Sequence, residues 1–312
     1  MQLLWILLGI TAFLAGIVAV IAYICFRMAF YVPKRQTKSD EEYPVPEGAV
    51  YEPHRDIMIQ WMKETRKLPA EDVSIRSLDG LTLRGKYYEY APGAPIELMF
   101  HGYRGRSERD LCGGVQRCFR LGRSALIVDQ RACGRSEGDV ITFGVNESRD
   151  CLDWVAFVID KFGPEVRIIL TGISMGAATV LMAAGRPLPE NVVGVLADCG
   201  YTAAKDIIKC VIRQMKLPAD AVYPFVKLGA RLYGHFNLEE LPPIEAVTQC
   251  KVPVILFHGS TDDYVPCCMS KRNYDACVSR KKLVIIPGAG HGLCYPVDSK
   301  TYLGALAEFF DN

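Results

Sequence analysis

From residue 73 onward, short apolar runs alternate with longer helix-like segments, and this alternation constrains the fold more than any other feature of the chain. The runs are bounded by Gly, Pro and Asp, as is typical of buried strands. We predict strands over residues 73–77, 81–90, 96–100, 125–128, 166–170, 192–197, 254–257 and 283–286. We predict helices over residues 56–67, 110–121, 146–161, 175–184, 203–215, 267–277 and 300–310. Strands joined through helices indicate an α/β fold, with helices flanking a mostly parallel, twisted sheet that begins with an antiparallel hairpin at Asp79-Gly80.

The first 26 residues contain no charged side chain. As a helix this segment would extend about 39 Å, which exceeds the hydrocarbon core of a bilayer at about 30 Å. A cleavable signal peptide would start with basic residues and end at a small-residue cleavage site, whereas here the basic residues come afterwards. These are Arg27, Lys34, Arg35 and Lys38. We predict a retained single-pass membrane anchor over residues 1–27, with the rest of the chain on the cytoplasmic side by the positive-inside rule.

Charge and cysteine usage bear on nucleic-acid binding, on the compartment and on structural metal sites. The net charge is +1 and the chain lacks tandem Lys/Arg runs with interleaved aromatic residues, so it is not expected to bind nucleic acid. It has 12 cysteines without regular spacing, which favours a reducing compartment. No pair has C-x-x-C spacing, so we predict no structural metal site.

Residues 172–176, Gly-Ile-Ser-Met-Gly, match the motif G-x-S-x-G, in which the serine sits on a sharp turn between a strand and a helix. Residues 134–138 match the same motif. A strand is predicted before Ser174 and a helix rich in small residues after it, whereas Ser136 has a loop-like sequence on both sides. Ser174 is therefore the candidate nucleophile.

A serine hydroxyl needs a base to accept its proton. Among the five histidines, His291 follows the last predicted strand on a glycine-rich loop that can reach the carboxyl edge of the sheet. His54 lies before the main domain, and His235 lies in a long insertion. His101 and His258 each stand in a His-Gly pair at a strand end, where structural roles are commoner. His291 is therefore the candidate base.

The base in turn needs an acid that fixes its tautomer. Asp262 and Asp263 both follow the penultimate strand, and Asp262 is the better candidate by its offset from His258-Gly259. Asp263 is expected to face solvent or to cap the next helix. Asp198, after another strand, is a lesser candidate.

Acyl transfer also requires backbone N–H groups that bind the developing oxyanion. The residue directly after the nucleophile, Met175, is one candidate donor. The other candidate donor is Tyr103, which follows an early strand. The preceding residue, Gly102, has no side chain, so the backbone there can approach the reacting groups closely. Such a mechanism requires no metal and no organic cofactor.

Four segments resemble those of α/β-hydrolases related to the serine aminopeptidases and acylaminoacyl-peptidases. They are His101-Gly102-Tyr103, Gly172 to Gly176, His258 to Pro266 and Gly290-His291-Gly292. Residues 129–138 look like the loop that such proteins carry after the next strand, except that Ala132-Cys133 replace a glycine and a bulky residue. The resemblance spans residues 73–310 and includes the order Ser, Asp, His. It implies the α/β-hydrolase fold and an esterase, thioesterase or peptidase activity, without choosing among them.

The chain is thus expected to comprise an anchor (1–27), a juxtamembrane linker and helix (28–70), and a catalytic domain (71–312). A long connection over residues 200–247 fits either a small lid over the site or a surface helix packed on the core.

The expected activity is hydrolysis of small or lipophilic acyl esters through an acyl-enzyme. A peptidase or thioesterase with the same residues, and a non-catalytic scaffold, are the alternatives. The oligomeric state does not follow from the sequence.

Overall fold

The structure is a computed structural model that describes residues 1–33 and 43–310 of the chain. Part of the predicted linker, residues 34–42, lies outside the described residues, and so do the predicted basic flank residues Lys34, Arg35 and Lys38. Residue 43 and those that follow lead into a short 3-10 turn, Glu52–His54, and then into the main body.

Eight strands form one sheet in the order β1-β2-β4-β3-β5-β6-β7-β8. They are β1 (Glu71–Arg76), β2 (Thr82–Tyr88), β3 (Ile96–Phe100), β4 (Ser124–Asp129), β5 (Ile168–Ile173), β6 (Val192–Asp198), β7 (Val254–Gly259) and β8 (Lys281–Ile286). β2 pairs antiparallel with both β1 and β4, and the other neighbouring pairs are parallel. The predicted α/β architecture and its opening hairpin are confirmed.

The helices are α1 (Gln2–Ala29), α2 (Arg55–Lys67), α3 (Ser107–Asp110), α4 (Gly114–Arg120), α5 (Val145–Phe162), α6 (Met175–Ala184), α7 (Ala204–Gln214), α8 (Ala219–Leu232), α9 (Pro243–Ala246), α10 (Cys268–Ala276), α11 (Cys294–Val297) and α12 (Ser299–Phe310). Helix α6 is buried along its whole length, which explains why its sequence is small and apolar on every side.

Apolar clusters cover both faces of the sheet. One cluster joins Leu170 and other strand residues to Trp154 of α5 and Leu181 of α6. Another joins alternate strand residues, including Phe257, to α2 and to Tyr302 of α12. Because successive side chains of a strand point to opposite faces, these clusters place helices on both sides of the sheet. The carboxyl ends of the parallel strands are left at one edge, where loops can meet.

The predicted helix over residues 110–121 is instead two helices, α3 and α4. The break falls at Gly113, where a Cβ would lie 2.8 Å from the ring of Trp61 on α2. The chain passes so close to Trp61 that only glycine fits there. The sequence pattern did not reveal this break because the contact is between distant segments.

Helix α1 has two parts with different surroundings. Its residues 2–18 are exposed, and by length and composition the helix is apolar enough to cross a membrane. Near its end, Ala22, Phe26 and the following Phe30 are buried, on one face of the helix. That face packs on α8, where a Cβ at Gly229 would lie 2.4 Å from the Ala22 carbonyl oxygen. Helix α8 of the long connection therefore forms the surface on which α1 lies.

Candidate active site

Ser174 occupies a sharp turn between β5 and α6. Its φ is +56° and its ψ is −116°, a combination that L-residues rarely adopt and that marks backbone strain. The flanking glycines make this turn possible: a Cβ at Gly172 would lie 2.1 Å from the Gly176 carbonyl oxygen, and one at Gly176 would lie 2.1 Å from that of Phe100. The motif residues therefore have a steric reason to be glycine.

His291 reaches Ser174 from the loop between β8 and α11. Its Nε2 lies 2.9 Å from the Ser174 Oγ, so the hydroxyl can donate its hydrogen to the ring. Ser174 follows β5 and His291 follows β8, so two strands lie between them in the sheet and 117 positions separate them in the chain. The structure thus brings together the predicted nucleophile and the predicted base.

Asp262 lies on the other side of the His291 ring. The His291 Nδ1–H donates to Oδ2 of Asp262 at 2.7 Å, while Oδ1 accepts from the backbone N–H groups of Tyr264 (3.0 Å) and Val265 (2.8 Å). The two alternative acids have other surroundings: Asp263 is exposed at the cavity, and Asp198 is buried and accepts from the Tyr302 hydroxyl. Of the three aspartates considered, Asp262 is the one hydrogen-bonded to His291.

His258 supports Asp262 from within the core. Its Nε2 donates to the Val265 carbonyl at 2.8 Å and lies 3.3 Å from Oδ2 of Asp262, while Nδ1 accepts from the Ser270 hydroxyl. Burial by itself would raise the pKa of Asp262, but hydrogen bonds from His258 and His291 hold that pKa well below its usual value. The carboxylate therefore stays charged at and well below neutral pH, as the orienting acid of a histidine must.

The two predicted oxyanion donors flank Ser174. Met175 is the first residue of α6, so its backbone N–H has no partner within the helix. Tyr103 lines the same cavity as Ser174, and Gly102 beside it lies so close that a Cβ there would be 3.6 Å from the Ser174 Cβ. Met175 adjoins Ser174 and Tyr103 lines the same cavity, so both residues remain the candidates for the oxyanion donors.

A cavity of about 380 Å³ opens over Ser174 and His291. One of its walls is formed by Pro46, Glu47, Val50 and Tyr51, which the sequence assigned to a linker outside the catalytic domain. Val50 packs against the histidine loop so closely that a Cβ at Gly290 would lie 2.4 Å from its Cγ2. The juxtamembrane segment is therefore part of the site. Its proline-rich, charged sequence carries no periodic signal that would have revealed this.

The second G-x-S-x-G match has a structural role. Oγ of Ser136 donates to the Asp129 carbonyl at 2.5 Å and accepts from the Arg84 N–H at 2.9 Å. Likewise, His101 is buried and its Nε2 accepts from the backbone N–H of Gln130. Neither residue is free to act on a substrate.

One set of described residues near Ser174 has ligand types that bind metals. The Cys199 thiol, the Asp262 carboxylate and the His291 ring lie within 4.8 Å of one another. However, Asp262 and His291 are already bonded to each other, and burial raises the pKa of Cys199 well above its usual value. That shift disfavours the thiolate that a metal would need, so the geometry fits proton transfer better than metal binding.

Comparisons with known proteins agree with this architecture. Residues 142–312, more than half of the chain, match the model of the prolyl oligopeptidase family. The uncharacterised protein YqkD of Bacillus subtilis is 28% identical over 193 residues, which span 62% of this chain and 63% of YqkD, less than two thirds of that relative's length.

Solved structures show the same fold. The esterase Pf2001 of Pyrococcus furiosus matches with a TM-score of 0.66 and 21% identity, covering 86% of this chain and 96% of the esterase. Est1E of Butyrivibrio proteoclasticus, solved with ferulic acid bound, matches with a TM-score of 0.57 and 20% identity, covering 76% of this chain and 97% of Est1E. The chain therefore belongs to the prolyl oligopeptidase family and has the α/β-hydrolase fold.

Proposed function

We propose that the chain hydrolyses carboxylic esters through a Ser174–His291–Asp262 triad and an acyl-enzyme intermediate. The observation that carries the proposal is the pair of hydrogen bonds on His291, 2.9 Å to Ser174 on one side and 2.7 Å to Asp262 on the other. In this arrangement one ring nitrogen is ready to accept a proton, while the other is held by a charged carboxylate.

Acylation begins when Oγ of Ser174 attacks the carbonyl carbon and its proton passes to Nε2 of His291. The carbonyl oxygen becomes an oxyanion and accepts hydrogen bonds from the backbone N–H groups of Tyr103 and Met175. When the tetrahedral intermediate collapses, the bond to the leaving alcohol breaks and His291 returns the proton to that alcohol. The acyl group remains as an ester on Ser174.

Deacylation repeats the same steps with water. The oxygen of the water attacks the acyl carbon while His291 accepts a proton from the water. The same two N–H groups donate hydrogen bonds to the oxyanion that forms. The bond to Oγ then breaks, the acid leaves, and the proton goes back to Ser174. Throughout, Asp262 remains ionised and stabilises the imidazolium.

An ester substrate is favoured by the cavity and by the structural neighbours. The volume of about 380 Å³ is at the small end of ligand cavities and suits a compact acyl group. One neighbour of the same fold, Pf2001, is an esterase by name, and another, Est1E, was solved with ferulic acid bound. The match to the prolyl oligopeptidase family favours a peptidase as the second candidate, and a thioesterase would use the same residues.

The bond preference can be measured by comparing p-nitrophenyl esters of increasing acyl length with thioesters and aminoacyl anilides of matched acyl groups. We expect kcat/KM for the best ester to exceed that for the matched anilide by at least about tenfold, a difference of about 1.4 kcal/mol in transition-state binding. An anilide or thioester that is cleaved faster than the matched ester would transfer the assignment to that class.

We further propose that residues 1–27 remain attached as a membrane anchor and that residues 71–312 act as the catalytic domain in the cytoplasm, joined by the segment 28–70. The burial of Ala22, Phe26 and Phe30 supports retention, because removal of α1 would expose the apolar face of α8. All twelve cysteines, each within the described part of the chain, are free thiols, which suits a reducing compartment.

The membrane topology can be tested at Cys268, which is exposed. A membrane-impermeant maleimide should fail to label the protein in intact cells and should label it after lysis. The variant Cys268→Ser should lose most of that labelling, which identifies the reactive thiol. Ready labelling of Cys268 in intact cells would place the domain on the outer side.

A further inference from the structure

The turn that follows β3 is held in an unusual conformation. Its ends are joined by the Gly105 N–H, which donates to the Gly102 carbonyl at 3.1 Å, so that Tyr103 and Arg104 are the two central residues. Arg104 has a φ of +51°, in the left-handed region that costs energy for most residues with a side chain. Contacts from outside the turn must therefore stabilise it.

Those contacts come from the end of α1. The Tyr103 hydroxyl donates to the Ala29 carbonyl at 2.7 Å. Nη2 of Arg104 donates to the carbonyls of Met28 at 2.9 Å and Tyr31 at 3.1 Å. The last carbonyls of a helix have no partner within it, and a cation is favourable at that end. Both central side chains of the turn thus cap α1.

The end of α1 is itself fixed to the body of the protein. Phe30 is fully buried, with its ring 5.7 Å from that of Phe143, and the Phe143 ring lies 5.1 Å from that of Tyr103. Directly after the helix, the Val32 N–H donates to the Asp139 carbonyl at 2.7 Å. The backbone carbonyls that accept hydrogen bonds from Tyr103 and Arg104 are therefore fixed to the body of the protein.

We propose that the end of α1 positions the oxyanion turn, with the Tyr103 hydroxyl and the Arg104 guanidinium as the positioning groups. The proposal rests on the proposed function, because it concerns the backbone N–H of Tyr103 as an oxyanion donor. A helix that begins in the membrane segment is thereby part of the catalytic site. A shift of α1 moves the N–H group that stabilises the transition state.

The test uses the full-length protein in detergent or nanodiscs, with the variants Tyr103→Phe and Arg104→Met. Each removes hydrogen bonds to α1 and keeps most of the side-chain volume. We expect kcat for an ester to fall by about tenfold to a hundredfold, part of the 10²- to 10³-fold that one oxyanion donor contributes, with KM nearly unchanged. The Ki of a trifluoromethyl ketone, whose adduct with Ser174 carries an oxyanion, should rise by a similar factor.

The matched control is Tyr233→Phe. The Tyr233 hydroxyl donates to the Ala19 carbonyl at 3.0 Å, a bond of the same kind to the same helix but far from the turn. Its removal should leave kcat and the Ki of the ketone unchanged. If Arg104→Met does not fold, the kcat and Ki of the milder variant Tyr103→Phe decide the test.

Three outcomes overturn the proposal: unchanged kcat and Ki in the turn variants, a change confined to KM, or an equal loss in Tyr233→Phe. All three presuppose a wild-type protein whose hydrolysis depends on Ser174. Failure of the positioning proposal is thereby distinguished from failure of the proposed function, which Ser174→Ala tests separately.

Discussion

Replacing Ser174 with alanine is expected to lower kcat for ester hydrolysis by about 10⁴- to 10⁶-fold, because the acyl-enzyme can no longer form. The remaining rate would come from the oxyanion donors and from substrate binding. Folding should be preserved, since Ser174 needs only a small side chain at its strained φ of +56° and alanine adds no atoms. Initial rates with an activated ester, together with a thermal unfolding curve, measure both effects.

Ser136→Ala is the matched control, because Ser136 stands in the other G-x-S-x-G motif. Its hydroxyl bonds the Asp129 carbonyl and the Arg84 N–H, so its loss should cost stability of about 1 kcal/mol per hydrogen bond and leave kcat in place. If Ser136→Ala abolished hydrolysis while Ser174→Ala retained it, the assignment of the nucleophile would be reversed.

Asp262→Asn should lower kcat by about 10⁴-fold although the side chain keeps its shape. The backbone N–H groups of Tyr264 and Val265 fix an oxygen at the Oδ1 position, so the new amide NH₂ must take the Oδ2 position and face His291. An NH₂ group there can only donate. His291 would then accept on Nδ1 and carry its hydrogen on Nε2, where it could no longer take the serine proton.

Asp263→Asn serves as the control for this change. Asp263 is adjacent in sequence and lines the cavity, but it is exposed and Asp262 is the aspartate bonded to His291. Most of kcat should remain. A large loss in Asp263→Asn with a small one in Asp262→Asn would show that the acid has been assigned to the wrong neighbour.

The depressed pKa of Asp262 also has a consequence for stability. A carboxyl group whose pKa is lower in the folded than in the unfolded state stabilises the fold above its unfolded pKa of about 3.9. That contribution is lost as the pH falls towards the folded pKa. In Asp262→Asn the pH dependence of stability should therefore be weaker on the acid side.

The sequence predicted the sheet and the groups around Ser174 because both leave local signals. Strand-like runs before Ser174, Asp262 and His291 place all three at the carboxyl edge of one sheet, and parallel pairing brings them together. The context of each serine, strand and helix for Ser174 but loops for Ser136, separated the two motifs. These inferences needed only neighbouring residues and the rules of parallel sheets.

The features that sequence reasoning missed depend on contacts between distant segments. An apolar helix that faces lipid and one that faces protein have similar compositions, so the burial of Phe26 and Phe30 was not evident. Gly229 offered a faint signal, as a glycine within a helix that requires close packing. The cavity wall around Val50 likewise comes from a segment without periodicity.

The most direct test of the central claim is to locate the adduct of a fluorophosphonate probe by peptide mass spectrometry. The proposed mechanism predicts a single phosphonylated site, on Ser174, in wild-type protein, and no adduct in the Ser174→Ala or His291→Ala variants at the same exposure. An adduct on a different serine, or none on folded protein that still hydrolyses esters, would contradict it.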